Sequence, residues 1–181
     1  MVFVLDGSGS MDDGIAGASS RIAAAKRSIG GVVSSLHPDI RAGLVSFSDC
    51  GSTRNSRYYS SAERGALIGR VNGVSPARRT SLAASITRAG AMATRRADTV
   101  IVVVSDGEDT CGGDPCAAAR AVRAQKPNVK INVIDLSGSR GAGPLQCVAQ
   151  VGGGRVLRPG SAAEMAAQTQ QATGQPDASG C

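Results

Sequence analysis

A chain of 181 residues with 41% hydrophobic content can bury one sizeable core and is too short for two ordinary domains. Aromatics make up only 2%, so the core must be built from Val, Ile, Leu and Ala, and nucleic-acid bases would find almost no stacking platform. The net charge of +6 comes from scattered Arg residues, which reads as a solvated basic surface and not a nucleic-acid groove, and no apolar run reaches membrane-spanning length.

Met1-Val2-Phe3-Val4-Leu5 is short, apolar and β-prone, as a strand buried on both faces should be. Past the loop that follows it, Ser19 or Ser20 can cap a helix to about Leu36, whose Ile22, Ala25, Ile29, Val32, Val33 and Leu36 fall at helical spacing before Pro38. Ile40 to Phe47 reads as a strand and Arg57-Tyr58-Tyr59 as a short edge strand, and the brief polar connection Ser48 to Ser56 favours an antiparallel pair. Helices are predicted over Ala62 to Val71 and Ser81 to Arg95, then a central strand over Thr99 to Ser105. A helix from Pro115 to Gln125, a strand from Val129 to Leu136, a helix from Gly143 to Gln150, a brief strand from Arg155 to Leu157 and a helix from Ser161 to Thr173 complete the pattern. Residues 1–173 thus read as one domain and 174–181 as a flexible tail, with no internal repeat. Strands alternating with helices imply an α/β, doubly wound sheet with right-handed crossovers.

The chemistry gathers in Asp6-Gly7-Ser8-Gly9-Ser10, where three oxygen-bearing side chains stand at alternate positions after the first strand. Gly7 and Gly9 allow the turn that lets them converge, at the strand end where open parallel sheets bind ligands. Carboxylate and hydroxyl oxygens suit a hard divalent cation, Mg2+ first, with Mn2+ or Ca2+ as substitutes. Three groups do not fill an octahedron, so other sheet ends must supply more; Thr80 before a helix and Asp106 after the central strand are the candidates. Taken singly, the Gly-rich loop is a turn and Asp106 a helix cap. Taken in this order after these strands, the set resembles the metal-ion-dependent adhesion site of von Willebrand factor type A domains, and the likeness runs from Met1 to about Thr173.

That resemblance implies a Rossmann-like six-stranded sheet of order 3-2-1-4-5-6 with the third strand antiparallel. It implies Ser8, Ser10 and Thr80 as direct ligands, Asp6 and Asp106 direct or through water, and one coordination position left for an Asp or Glu of a protein partner. The function expected is a binding module, not an enzyme, with an accessory subunit of an ATPase or chelatase-type assembly as the alternative. Where the family often has Gly-Thr-Pro, this chain has Arg79-Thr80-Ser81, so Arg78 and Arg79 join Glu108 and Asp109 as a candidate partner-binding rim or as solvated charge.

Hydrolase readings lack their parts: there is no G-x-S-x-G elbow, no Lys for a phosphate loop, and His37 is the only imidazole. With one His, the Cys111 to Cys116 spacing does not read as a zinc site. Five Cys point instead to an oxidising compartment, periplasmic, secreted or at the cell surface, and Met1 abutting the first strand with no room for a leader reads as a trimmed chain, a mature fragment or a misplaced start. Cys50, Cys111, Cys116 and Cys147 resemble those of exported bacterial type A proteins. On the strand order implied by the family, Cys116 with Cys147 and Cys50 with Cys111 are the preferred pairs, and a small Cys111–Cys116 ring is the competing one.

Overall fold

The computed structural model describes residues 1–47, 49–50, 54–55, 57–76, 79–107, 109–138 and 142–175. Its centre is a six-stranded sheet of order β3-β2-β1-β4-β5-β6: β1 (Val2–Asp6), β2 (Gly43–Phe47), β3 (Arg54–Asn55), β4 (Thr99–Ser105), β5 (Val129–Asp135) and β6 (Val156–Leu157). All neighbours run parallel except β2 with β3. Order and direction are those the family resemblance implied. Between the strands lie α1 (Arg21–Ser35), α2 (Arg64–Asn72), α3 (Leu82–Met92), α4 (Pro115–Gln125), α5 (Ala142–Val151) and α6 (Ala162–Thr173), with short 3-10 turns at Gly9–Asp12 and Ser61–Glu63.

Strand alternation divides the core in two. Phe3, Leu5, Val102, Val104 and Ile134 face α1, α2 and α6, meeting Ile22, Ile29, Val33, Leu67 and Met165. Val2, Val4, Ile101, Val103 and Val133 face α3, α4 and α5, meeting Leu82, Ile86, Val122, Leu145 and Val148. Because β1 and β4 are buried on both faces, they read as nearly unbroken apolar runs, whereas β5 carries the exposed Lys130 and the buried Asn132. Between α5 and β6 the backbone runs tight against β5: a Cβ on Gly154 would overlap the Ile131 carbonyl and the Asn132 side chain. Three helix starts are fixed by a capping side chain: Ser20 caps α1 through Ala23 N–H, Asp114 caps α4 through Ala117 N–H, and Ser161 caps α6 through Glu164 N–H.

The edge strand departs from expectation. It lies at Arg54–Asn55, not Arg57 to Tyr59, and Tyr59 makes only an isolated bridge to Ala42. Val45 pairs with Asn55 while Ala42 pairs with Tyr59, so the outer chain has one residue more than β2 over the same span and the ladder breaks, as at a bulge. Arg57 is turned outward, bonding Glu63 at 2.5 Å and stacking on Tyr59. The second strand starts at Gly43 instead of Ile40, because Ile40 N–H closes a turn onto His37 O. The left-handed Gly174 ends α6 (φ 70°). The expected flexible tail, apart from Gly174 and Gln175, lies outside the described residues.

Candidate metal centre

β1 and β4 are adjacent and parallel, so their carboxyl ends open on the same edge and bring the 6–10 loop against the 105–113 loop. Gly7 makes the first turn possible. Its N–H bonds Phe47 O at 2.8 Å, and a Cβ would sit 2.8 Å from that carbonyl. Asp6 is fully buried; its Oδ1 accepts Ser8 N–H at 2.7 Å and its Oδ2 accepts the Ser105 hydroxyl at 2.5 Å. Ser8 and Ser10 hydroxyls lie 3.2 Å apart, and Ser10 donates to Asp106 Oδ1 at 2.8 Å. Four of the five candidate ligands therefore form one hydrogen-bonded oxygen cluster, buried except at Ser10.

The fifth arrives from the loop before α3. Thr80 N–H bonds Thr110 Oγ1 and Thr110 N–H bonds Thr80 O, both at 2.9 Å, which seats the buried Thr80 on the loop that carries Asp106. Asp109, a candidate rim residue, holds the same junction: Oδ2 accepts Ala83 N–H in the first turn of α3 at 2.8 Å, and Oδ1 accepts Cys111 and Gly113 N–H. Arg79 is exposed and its guanidinium reaches Cys50 Sγ at 3.9 Å. Arg78 and Glu108 lie outside the described residues. The chain links Cys50 to Cys111 and Cys116 to Cys147, each with Cα atoms 5.5 Å apart, so the small Cys111–Cys116 ring is not formed. The first disulfide joins the β2 loop to the Asp106–Thr110 loop; the second joins α4 to α5.

Burial dominates the ionisation of Asp6 and pushes its carboxyl up to about 6, with hydrogen bonds from Ser105 and Ser8 opposing and the charge of Asp106 adding to the rise. A carboxylate so placed favours either a proton or a cation. Among the described residues no three His, Cys, Asp or Glu side chains converge, and what gathers at this edge is two carboxylates together with hydroxyls. Such an all-oxygen donor set fits a hard divalent ion.

Two features escaped the sequence reading. Arg21, the first residue of α1, places its guanidinium 2.7 Å from Asp106 Oδ2 and 3.3 Å from both Asp13 Oδ2 and Ser10 O. Nothing in its spacing announced this, because the turns between Gly9 and Ser20 decide where α1 begins. The other was visible: Asp135-Leu136-Ser137-Gly138-Ser139 repeats the D-x-S-G-S spacing at the end of β5. Asp135 is buried, and its Oδ1 accepts Ser137 N–H as Asp6 accepts Ser8 N–H. Here the Arg158 guanidinium bonds Oδ2 at 2.9 Å and continues to Gln146.

A family model described as von Willebrand factor type A domain matches residues 1–108. The uncharacterized protein YwmC of Bacillus subtilis (strain 168) is 30% identical over 167 residues, covering 83% of this chain and 72% of that protein. An aerotolerance-related membrane protein from Bacteroides fragilis superposes with a TM-score of 0.76 at 21% identity, over 96% of this chain and 97% of the other. Proximal thread matrix protein 1 from the mussel byssus, with a zinc-occupied MIDAS motif, superposes with a TM-score of 0.72 at 15% identity, over 95% of this chain and 46% of that one.

Proposed function

We propose, since the chain belongs to the von Willebrand factor type A family, that Asp6, Ser8, Ser10, Thr80 and Asp106 hold a divalent cation, Mg2+ by preference, and that the loaded site captures an Asp or Glu side chain of a protein partner. The observation that carries this reading is the oxygen cluster itself, the buried Asp6 and Asp106 linked through Ser8 and Ser10 at the carboxyl edge of the sheet. Bound there, the cation would supply the positive charge that a partner carboxylate seeks. The hydroxyls are neutral, so two carboxylates neither overcompensate the ion nor crowd it with charge. Asp109 and Thr110 set the position of Thr80, and the exposed Arg79 borders the approach of an acidic partner. We read the domain as a binding module and not an enzyme.

The two disulfides favour an extracytoplasmic location over a reduced, cytosolic accessory subunit of an ATPase assembly. The similarity to a Bacteroides fragilis membrane protein agrees with that location; no described helix is long and apolar enough to cross a membrane. Thr80→Val tests the site. It deletes a hydroxyl and keeps the shape, while the backbone bonds to Thr110 remain. Calorimetry should show Mg2+ and Mn2+ binding weakened by roughly tenfold or more, the scale of losing one group at a metal site, and EDTA-sensitive capture of an acidic protein ligand should disappear. Unchanged Mn2+ binding would remove Thr80 from the site.

A further inference from the structure

Resting on the cation-site reading above, we infer that Arg21 sets the balance of the site, weakening its hold on the cation and strengthening the loaded site's hold on a carboxylate. Asp106 has two oxygens and both are engaged: Oδ1 by the Ser10 hydroxyl at 2.8 Å and Oδ2 by the Arg21 guanidinium at 2.7 Å. The pair is closely placed and largely shielded, with side-chain exposures of 23% for Arg21 and 1% for Asp106, so Arg21 cancels most of the negative charge that Asp106 offers. Asp13 also faces Arg21, at 3.3 Å, but its side chain is 68% exposed and solvent screens it.

With Asp106 neutralised, Asp6 alone sets one negative charge against the two positive charges of a divalent ion. The loaded site is left with one positive charge in excess, which only an incoming anion satisfies. Without Arg21 the two carboxylates would balance the ion: it would bind more tightly and attract a partner carboxylate less. Among the described residues the contacts of Arg21 all use one of its terminal nitrogens, which leaves its other donors for an anion seated beside the ion.

Two neutral variants test this, Arg21→Gln and Arg21→Met, the second keeping the apolar stem, beside Arg21→Lys, which keeps the charge. Mn2+ affinity is read by calorimetry, and acetate binding to Mn2+-loaded protein by water-proton relaxation. The neutral variants should bind Mn2+ on the order of tenfold more tightly and acetate on the order of tenfold more weakly, as removal of one nearby unit charge dictates. The Lys variant, which keeps the unit charge, should stay close to the parent on both readings. Neutral variants that bind Mn2+ equally or more weakly would overturn the inference and make Arg21 a residue that merely orients Asp106. A parent protein that takes up no Mn2+ would overturn the cation-site reading itself, and this inference with it.

Discussion

Cutting the Cys50–Cys111 disulfide should cost both stability and cation affinity. The bond closes a loop with a sequence separation of 61 residues, which in the chain-entropy picture stabilises the fold by about 4 kcal/mol. What it restrains is specific: Cys111 directly follows Thr110, which holds Thr80, and Asp109, which caps α3, while Cys50 anchors that loop to the end of β2. In a Cys50→Ser, Cys111→Ser double variant, urea unfolding should report a loss of roughly 3–4 kcal/mol and a Tm lower by about 10 °C. Mn2+ affinity should fall in parallel, because Thr80 and Asp106 no longer start in place. A loss below about 1 kcal/mol together with parental Mn2+ affinity would show that the staple does not hold the site, and that the loop is kept by its own hydrogen bonds.

In ion-free protein, the Asp6 carboxyl raised from 3.8 to about 6 binds its proton more tightly in the folded chain than in the unfolded one. Its contribution to stability is therefore full below the unfolded value and is lost as pH rises through the folded one, so urea midpoints in EDTA should fall from pH 4 to neutrality, and less so in Asp6→Asn; identical profiles for the two proteins contradict this. Asp109→Ala strips acceptors from Ala83, Cys111 and Gly113 N–H and should cost about 2 kcal/mol in thermal melts followed by circular dichroism; an unshifted melt would mean that water replaces the carboxylate freely. Gly7→Ala places a Cβ 2.8 Å from Phe47 O and should cost about 1–3 kcal/mol while weakening Mn2+ binding, and a neutral result would show that the 6–10 loop relaxes without moving its ligands.

Most of this architecture was legible because burial writes a strong pattern. Thr99 to Ser105 is buried along nearly its whole length and gave its strand bounds directly, and Pro115 to Gln125 carries its own start in Asp114-Pro115. The edge was not legible: β3 has two residues and is set by one extra residue in its ladder, which no periodicity of so short a segment encodes. The candidate ligands were found through alternating oxygens after a buried strand, a local signal. Arg21 was missed because its role depends on a contact 85 residues away with Asp106. Asp109 was read as rim since an acid near a loop looks solvated in sequence; its bonds to Cys111 and Gly113 N–H are local to the loop, but the one to Ala83 N–H exists only once α3 is packed against it. The second D-x-S-G-S segment could have been seen, and only the fold shows that Arg158 fills its carboxylate.

Anomalous diffraction from crystals grown with Mn2+ addresses the central assignment most directly. A single peak bordered by Asp6, Ser8, Ser10, Thr80 and Asp106, lost on EDTA treatment, is the expected result. A map with no peak there at millimolar Mn2+, or with the ion seated elsewhere, would contradict it.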